Sequence, residues 1–389
     1  MILNNVKITG TDEAVNIRIQ DDKIASVSPS VIEDAFDPFQ LSFENSIIFP
    51  GLINSHDHLD FNLYPQLGNN TYSNYTEWGK HLHKNYKSEI AEVLKIPVML
   101  RSEWGVFKNL LCGVTTVVNH GENSGLKDDL ITIFEKCQCL HSVQFEKNWK
   151  IKLNNPFKLG LPVAIHVGEG NDWLSLNEIY QLTRWNLLQK KLVGIHAVAM
   201  SEDQAKRFEA LVWCPQSNYF LLNKTAPVNL LKQHSNILFG TDSTLTSNWN
   251  IWEHLQTAKK TGLLSDSELY DSLNQNAANT WHLNSGQIAY GKDADMVIAK
   301  TKQGTTGFDS FFELGPEDLL MVIHKGNIRL FDESLLVQLS SMDIENFSKV
   351  YVNGACKYVQ GDLPGLMEKI KEYHPKADFP VSSDKTILV

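Results

Sequence analysis

Two histidines, His56 and His58, lie two positions apart at the end of the apolar run that begins at Ile47. Because side chains alternate between the two faces of a strand, an i, i+2 pair points to the same side of the sheet. Two imidazoles held side by side on a rigid strand are half of a metal site. The simpler interpretation, two polar residues that begin a loop, competes with it, since short motifs often occur by chance.

Three further strand-like runs also end in residues that can bind a metal or move a proton. LPVAIHV contains His166 with Glu169 three residues later, LVGIH ends at His196, and NILFGTD ends at Asp242. One such residue is more simply a strand-end group bonded to a neighbouring loop. Four runs with the same kind of ending are hard to attribute to chance. The carboxyl ends of barrel strands are where enzymes of that fold gather their catalytic groups.

The residue types at these strand ends fit one chemistry. Neutral imidazoles and a carboxylate suit zinc or iron(II), so the pattern predicts one divalent metal ion, with zinc favoured. The expected ligands are His56, His58, His166 and Asp242. A remaining position would hold water, whose pKa would fall to about 7. Glu169 could then carry a proton from that water to a leaving group, and His196 could hold the attacking hydroxide or polarise the electrophile.

Motifs of several other enzyme classes are missing from the sequence. It contains no G-x-S-x-G elbow, no P-loop and no G-x-G-x-x-G after a strand. The P-C-x-x-C signature of cytidine-type deaminases is also missing. The five cysteines are irregularly spaced and odd in number, so no disulfide framework is expected.

The composition predicts a soluble globular protein. Of the 389 residues, 42% are hydrophobic and 21% are charged, close to globular averages. A net charge of −10 disfavours nucleic acid and anionic membrane surfaces as partners. No apolar run approaches the ~20 residues that span a bilayer, and the start, MILNNVKITGTDE, lacks the core of a signal peptide. We therefore expect a cytoplasmic protein that binds a small-molecule substrate.

The strand-end residues need a scaffold of parallel strands, and the hydrophobic pattern predicts one. Strand-like and helical runs alternate over residues 49–282, which is typical of an α/β fold, either a (β/α) barrel or a doubly wound sheet. Continuous apolar strands of this kind are buried on both faces. Seven barrel strands can be identified, in the runs SIIFPGLINSHDH, GVTTVVNH, SVQFE, LPVAIHV, LVGIHAV, ALVWCP and ILFGTD. We expect the eighth between Gln144 and Leu161, where only WKIKLN is a candidate.

Both ends of the chain are rich in strand-like runs. Neither end alone could form much of a core, so residues 1–48 and 283–360 are expected to pair into one small β domain. Residues 361–389 are predicted to form a helix and a tail. The catalytic domain would then be residues 49–282.

The order of the motifs resembles the amidohydrolase superfamily. The motifs are PGLINSHDH, GVTTVVNHG, HVGE, the strand-end His196, CPQSN, GTDS and GQIAYGKDAD. The resemblance covers residues 1 to about 300. Within the superfamily the chain is most similar to the mononuclear aminohydrolase branch of cytosine deaminase, guanine deaminase and triazine hydrolases. The resemblance implies a distorted (β/α)8 TIM-type barrel with a β-sandwich built from both chain ends, and by analogy a homodimer.

The resemblance also implies a role for each strand-end residue. In that branch one metal is held by the His-x-His pair, the histidine of H-x-x-E and the strand-end aspartate, here His56, His58, His166 and Asp242. The glutamate of H-x-x-E, here Glu169, is the proton shuttle, and His196 contacts the metal-bound water or the substrate. The run Ser142–Phe145 has no lysine, whereas binuclear relatives carry a carboxylated one there. This favours one metal over two.

Substrate contacts are expected between His58 and His166 and on two later strand-end loops. The candidates in the interval are Tyr64, Trp78, His83, His120, Gln144 and Trp149, and those on the loops are Asn218 and Ser243. Any residue of the interval could instead be an ordinary core or surface residue.

These observations predict a hydrolase that removes an exocyclic amino group from a nitrogen heterocycle and releases ammonia. Metal-activated hydroxide would add to the C=N carbon with help from His196, while Glu169 and Asp242 relay protons until the amine leaves. Alternatives are hydrolysis of a cyclic amide, as in imidazolonepropionase-like relatives, or of another C–N or C–Cl bond. A non-catalytic scaffold is a further alternative. Such a protein should have lost ligands, and here all four are present together with the glutamate.

Overall fold

The computed structural model describes residues 1–11, 13–32, 39–121, 125–126 and 130–384. The first strands are β1 (Ile2–Ile8), β2 (Ala14–Gln20), β3 (Lys23–Ser28), β4 (Gln40–Ser42) and β5 (Ser46–Pro50). The middle strands are β6 (Leu52–Asp57), β7 (Val114–Asn119), β8 (Thr132–Ile133), β9 (Gln138–Ser142), β10 (Val163–Val167), β11 (Leu192–His196), β12 (Ala210–Trp213) and β13 (Asn236–Phe239). The last strands are β14 (Met296–Lys300), β15 (Leu319–His324), β16 (Asn327–Asp332), β17 (Phe347–Val352), β18 (Ala355–Gln360) and β19 (Val381–Ser382).

Helices follow most of the middle strands and also lie near the carboxyl end of the chain. They are α1 (Tyr75–Asn85), α2 (Lys87–Leu94), α3 (Val98–Leu111), α4 (Trp149–Leu153), α5 (Trp173–Trp185), α6 (Glu202–Ala205), α7 (Pro215–Leu222), α8 (Val228–Leu231), α9 (Ile251–Thr261), α10 (Asp266–Ser272), α11 (Gln275–Trp281), α12 (Asp309–Phe312) and α13 (Leu363–Tyr373). Short 3-10 turns span Leu59–Phe61, Pro156–Lys158, Pro316–Asp318 and Glu333–Leu335. Within the described ranges, no helix has the length and apolar character needed to cross a membrane.

The middle strands are all parallel, as the continuous apolar runs predicted. They form a five-stranded sheet in the order β13-β12-β11-β10-β9 and a three-stranded sheet in the order β6-β7-β8. The two sheets meet beside β6, where the backbone N–H groups of Thr241 and Asp242 donate to the carbonyl oxygen of His56 at 3.1 and 3.0 Å. The carboxyl ends of β6 and β13 are therefore held together.

The eighth parallel strand is not where the sequence predicted it. It is β8, which precedes β9, whereas the interval from Gln144 to Leu161 holds α4 and a 3-10 turn. The alternating letters WKIKL suggested a strand, but Trp149 and Leu153 are buried and Ile151 is 74% exposed. Burial at i and i+4 with exposure at i+2 is the pattern of a helix face. The strand assigned to SVQFE likewise ends earlier, at Ser142.

Strands from both ends of the chain pair in one hydrogen-bonded sheet. Among the described residues it has eleven strands, in the order β19-β17-β18-β16-β15-β14-β5-β1-β2-β3 with β4 beside β1. The two ends join where β5 pairs with β14, with Phe49 opposite Val297. Apolar side chains of both ends pack into one cluster, which includes Leu3, Ile17, Met296, Ile298 and Met321.

The segment after residue 360 differs from the helix and tail that we predicted. The helix is present as α13, but the chain then returns to the sheet, where β19 pairs with β17 and Ser382 lies opposite Tyr351. The last part of the predicted tail, residues 385–389, lies outside the described residues.

Candidate metal centre and active site

The four predicted metal ligands lie at carboxyl ends of parallel strands. His56 is the second-last residue of β6 and His58 follows that strand, His166 is in β10, and Asp242 follows β13. β10 and β11 are in register so that Val167 lies opposite His196. The strands are buried along both faces, which leaves the side chains at their ends little freedom to move.

The ligand atoms of these residues fall into two groups that share His56: His56, His58 and His166 form one, and His56, Asp242 and His196 form the other, each with its atoms within 4.8 Å of one another. The Nε2 atom of His166 lies 3.3 Å from Nε2 of His56 and 3.4 Å from Nε2 of His58. Oδ1 of Asp242 lies 3.6 Å from Nε2 of His56 and 3.8 Å from Nε2 of His58. A tetrahedral zinc site with bonds of about 2.1 Å has ligand–ligand separations of about 3.4 Å. The space between these atoms therefore has the dimensions of a zinc site.

The protonation of the imidazoles also fits a cation. Burial, aided by the charge of His56, lowers the pKa of His58 to about 3, and burial lowers the pKa of His166 well below its ordinary value. The neutral His166 ring donates its Nδ1 proton to the carbonyl oxygen of His141 at 2.7 Å, which leaves a lone pair on Nε2. Such a bond from the outer nitrogen to a carbonyl is the usual support of a metal-binding histidine.

Asp242 is held by groups that leave one of its oxygens facing the histidines. Its Oδ2 accepts hydrogen bonds from Ser217 Oγ at 2.7 Å and Thr246 Oγ1 at 3.1 Å. Asp242 and His196 both have positive φ angles, 58° and 72°. Non-glycine residues in this conformation are strained and cluster at functional sites, where the surrounding structure enforces them.

A buried network of hydrogen bonds around Asp57 holds the segment that carries His56 and His58 in place. Asp57 lies between them in sequence, and its carboxylate accepts hydrogen bonds from Lys108 Nζ, Asn109 Nδ2 and Asn62 Nδ2, each at 2.8 Å. The side chains of Asp57 and Lys108 are 0% and 2% exposed. This ion pair ties the end of β6 to α3.

We expect Lys108→Met to lower the free energy of unfolding by about 3–5 kcal/mol, because it leaves the Asp57 charge buried without its cation. Urea denaturation of the metal-free proteins measures the change. Lys95→Met is the matched control, since Lys95 forms an exposed ion pair with Glu92 and its loss should cost less than about 1 kcal/mol. The double variant Asp57→Asn/Lys108→Met should recover part of the loss, and wild-type stability of Lys108→Met would contradict the expectation.

Glu169 and His196 lie beside the predicted ligands. Oε1 of Glu169 is 3.6 Å from Nε2 of His196, and both residues are buried. Burial, together with the charges of Asp242 and Glu178, raises the pKa of Glu169 well above its ordinary value. A carboxyl group with a raised pKa can both take up and release a proton near neutral pH.

A cavity of about 590 Å³ opens above these residues. His58, His166, Glu169, His196 and Asp242 all line it. The rest of its wall is mainly apolar and includes Phe61, Tyr64, Tyr75, Trp78, Leu82, Ile90, Phe145, Leu221 and Leu245. Its volume lies within the range of about 300–1,000 Å³ that is usual for small-molecule sites.

Half of the predicted substrate contacts lie on this cavity. Tyr64, Trp78, His83 and Ser243 line it, whereas His120, Gln144, Trp149 and Asn218 are not among its lining residues.

The residues away from the cavity wall have other surroundings. His120 packs against His166 and donates from Nε2 to the carbonyl oxygen of Leu140 at 2.9 Å. Gln144 lies exposed in the turn after β9. Trp149 is buried in α4.

His141 is a cavity residue that the sequence reasoning missed. Its side chain lines the cavity and its carbonyl oxygen accepts the Nδ1 proton of His166. It lies next to the last residue of β9, so the strand-end rule would have selected it. The predicted strand SVQFE begins at Ser142, where β9 ends, so His141 falls outside the prediction.

Glu178, on α5, is a buried carboxyl group behind the cavity wall. It accepts hydrogen bonds from the hydroxyl of Tyr75 at 2.8 Å and from the backbone N–H of Gly168 at 3.1 Å. Burial raises its pKa from 4.5 to about 7. The native state therefore keeps a proton on this group that the unfolded state loses above about pH 4.5.

This pKa predicts a pH dependence of stability. Because the native state binds more protons between pH 4.5 and 7, the contribution of Glu178 is fully present below that window and is lost as pH rises through it. Since one pKa unit corresponds to about 1.4 kcal/mol, the free energy of unfolding should fall by roughly 3 kcal/mol across this pH window. Glu178→Gln should remove this part of the dependence. Urea denaturation of both proteins at pH 5 and 7.5 tests it, and identical pH dependences would contradict it.

Comparisons with known proteins agree with the fold and with the family resemblance of the motifs. Residues 150–329 match the profile of the amidohydrolase family. The chain is 24% identical, over 398 aligned positions, to the 5-methylthioadenosine/S-adenosylhomocysteine deaminase of Caldicellulosiruptor saccharolyticus, and the alignment covers 85% of this chain and 92% of that protein.

Two solved structures have a similar fold. The adenosine deaminase of Xanthomonas campestris, solved with bound zinc, has a TM-score of 0.73 at 15% identity, covering 97% of this chain and 98% of that one. The atrazine chlorohydrolase of Arthrobacter aurescens, solved with zinc, has a TM-score of 0.72 at 14% identity, covering 96% of this chain and 100% of that one. The profile match and the alignment along most of the chain support the resemblance found in the motifs: the chain contains an amidohydrolase-family domain at residues 150–329, the domain of a hydrolase that acts on carbon–nitrogen bonds.

Proposed function

We propose that the protein deaminates a 6-aminopurine nucleoside, replacing the amino group with oxygen from water and releasing ammonia. One observation carries the proposal. The ligand atoms of His56, His58, His166 and Asp242 lie 3.3–3.8 Å apart in four pairs around a space of zinc size at an apolar cavity, with Glu169 and His196 beside them. The purine nucleoside is suggested by the names of two similar proteins, an adenosine deaminase and a methylthioadenosine deaminase.

In this proposal one divalent ion, zinc rather than iron(II), is held by His56, His58, His166 and Asp242. Similar structures contain zinc, and three imidazoles with one carboxylate are suitable zinc ligands. When bound, the ion lowers the pKa of water towards neutrality.

The residues around the ligands bind and orient the reactants. Glu169 accepts a proton from the attacking water and returns it to the heterocycle, a role that suits its raised pKa. Nε2 of His196 lies beside the carboxyl group of Glu169, and His196 orients the attacking oxygen. Asp242, which also lines the cavity, takes part in the later proton transfer that releases the amine.

The apolar wall favours a flat aromatic substrate. Phe61, Tyr64 and Trp78 line the cavity with aromatic rings, and such rings pack against heterocycles face to face or edge to face. The apolar surroundings also exclude water from the reacting atoms, which strengthens the electrostatic interactions there. Ser243, on the loop after β13, offers a hydroxyl group to the substrate at the same wall.

Ammonia release from candidate substrates tests this function. Zinc-loaded protein is incubated with 5′-methylthioadenosine, adenosine and S-adenosylhomocysteine, and ammonia and the change in purine absorbance are measured. Turnover of at least one nucleoside is expected. Turnover of none of them by protein that holds zinc would contradict the proposal.

A second candidate, hydrolysis of a C–Cl bond or of a ring amide, is supported by the similarity in fold to atrazine chlorohydrolase. A chlorotriazine and a cyclic amide are therefore included in the screen. Chloride release or ring opening without ammonia would favour this candidate.

We further infer that the eight parallel strands close into a (β/α)8 barrel over residues 49–282. The backbone hydrogen bonds between the loop after β13 and His56 support closure on one side. The separate apolar cluster shared by both chain ends supports a second domain made from residues 1–48 and 283–360, built as a β-sandwich. We also propose that the protein is a homodimer and is located in the cytoplasm. Size-exclusion chromatography with light scattering tests whether it is a dimer.

A further inference from the structure

Asn218, which the sequence predicts as a substrate contact, does not line the cavity and lies on the far side of His196 from it. It is fully buried in α7, and its Nδ2 atom lies 2.9 Å from Nδ1 of His196. His196 reaches the cavity with its opposite ring nitrogen, Nε2, which lies 3.6 Å from Glu169 Oε1. Asn218 therefore touches only the rear nitrogen of a ring that faces the reactants.

The amide of Asn218 is turned with its oxygen towards Thr225 and its nitrogen towards His196. The indole Nε1–H of Trp213 donates to Thr225 Oγ1 at 2.6 Å. An indole N–H can only donate, so the Thr225 oxygen is the acceptor in this bond and its own hydrogen must point elsewhere. Among the residues that the structure describes, Asn218 Oδ1, at 3.4 Å, is the acceptor found for that hydrogen.

The direction of these bonds determines the proton position on His196. With its oxygen turned to Thr225, Asn218 presents its NH2 group to His196, and that group can only donate. Nδ1 of His196 must then carry a lone pair, so the ring proton lies on Nε2. An imidazolium, which has N–H on both nitrogens, does not fit this arrangement either.

We propose that the chain Trp213–Thr225–Asn218 is a positioning device that holds His196 as its Nε2–H tautomer, so that His196 donates a hydrogen bond to the attacking oxygen in the cavity. This inference rests on the proposed function for its catalytic consequence, but the tautomer itself does not depend on the substrate. Asn218 is a positioning residue, because it acts through His196. All three members lie within the thirteen residues from Trp213 to Thr225, so the end of β12, α7 and the loop after it form one unit beneath His196.

A long-range proton–nitrogen NMR correlation of zinc-loaded, nitrogen-15-labelled protein measures the tautomer directly. The chain has 13 histidines, and a His196→Gln spectrum identifies the His196 signals. We expect Nδ1 to show the shift of a nitrogen with a lone pair and Nε2 that of a nitrogen with a proton. The reverse assignment in the wild-type protein would overturn the proposal.

Asn218→Asp tests the consequence with almost no change of shape. A carboxylate only accepts, so it should draw the ring proton to Nδ1 and leave Nε2 without a donor. We expect the tautomer to reverse and kcat to fall on the order of 10²-fold or more, as for loss of one catalytic hydrogen-bond donor. KM should change little and the zinc content should stay at about one per chain. A reversed tautomer with unchanged kcat would overturn the proposal.

The pair Thr225→Val and Thr225→Ser provides the same test if Asn218→Asp fails to fold. Valine has the shape of threonine but no hydroxyl, so Asn218 loses the bond that orients it and both tautomers should appear, with kcat lowered on the order of 10-fold. Serine keeps the hydroxyl and should restore one tautomer and most of kcat. Equal kcat values for the two variants would overturn the proposal. If no nucleoside is turned over at all, the proposed function fails while the NMR measurement still decides the tautomer.

Discussion

Glu169→Gln should lower kcat for the deaminated nucleoside on the order of 10²–10⁴-fold while the protein keeps its metal. This is the usual range for loss of a general acid–base group. Glutamine has nearly the same shape as glutamate but cannot accept and return a proton. The four predicted ligand atoms belong to His56, His58, His166 and Asp242. Because Glu169 supplies none of them, its replacement should leave metal binding intact.

Steady-state kinetics and elemental analysis of the same preparations test this expectation. Glu77→Gln is the matched control, since Glu77 lies on the cavity helix α1 but is not among the residues that line the cavity, and its kcat should stay near the wild-type value. Wild-type turnover by Glu169→Gln would show that another group moves the proton. Loss of zinc from this variant would instead make Glu169 part of the ligand set.

His58→Ala should abolish stable zinc binding and, with it, activity. Nε2 of His58 lies 3.4 Å from Nε2 of His166 and 3.8 Å from Asp242 Oδ1, so its loss removes one of the four donors of a tetrahedral site. After dialysis against a weak chelator, the wild-type protein should hold about one zinc per chain and the variant nearly none. Turnover should fall to the background rate.

Thermal unfolding gives a second measurement that does not need a substrate. An ion that binds only the folded state raises the melting temperature, so zinc should stabilise the wild-type protein and have little effect on His58→Ala. His83→Ala is the matched control, because His83 lines the same cavity but belongs to neither group of possible metal ligands, and it should keep its zinc. A His58→Ala protein with a full zinc content would place the ion elsewhere, and two ions per wild-type chain would indicate a binuclear site.

Much of the candidate site could be predicted from the sequence because parallel strands share a direction. Each of the predicted ligands follows an apolar run that is long enough for a strand. The carboxyl ends of such strands meet at one edge. His56 and His166 are 110 residues apart in sequence, yet their Nε2 atoms lie 3.3 Å apart. Local sequence was enough to place these residues at strand ends, and the topology of the parallel sheets brought them together.

Short elements were predicted less well, because their hydrophobic pattern is ambiguous over a few residues. The two-residue strand β8 leaves almost no signal in the sequence, and the five residues of α4 alternate like a strand. Because these short elements were not predicted correctly, β9 was predicted too late in the chain and did not include His141. The carbonyl oxygen of His141 orients His166. Burial of Trp149 and Leu153 against the rest of the fold, which is a tertiary effect, decided the helix.

The parallel α/β fold, the strand-end histidines and aspartate, and the glutamate beside them could be predicted from the sequence, because they depend on hydrophobic periodicity and on residue type. The groups that support them could be identified only once the chain was folded. The burial of the Asp57–Lys108 pair, the apolar cavity wall and the turn of the Asn218 amide behind His196 all arise where separate elements pack together. A hydrogen-bond partner is selected by distance and direction in space, and neither can be obtained from the spacing of residues along the chain.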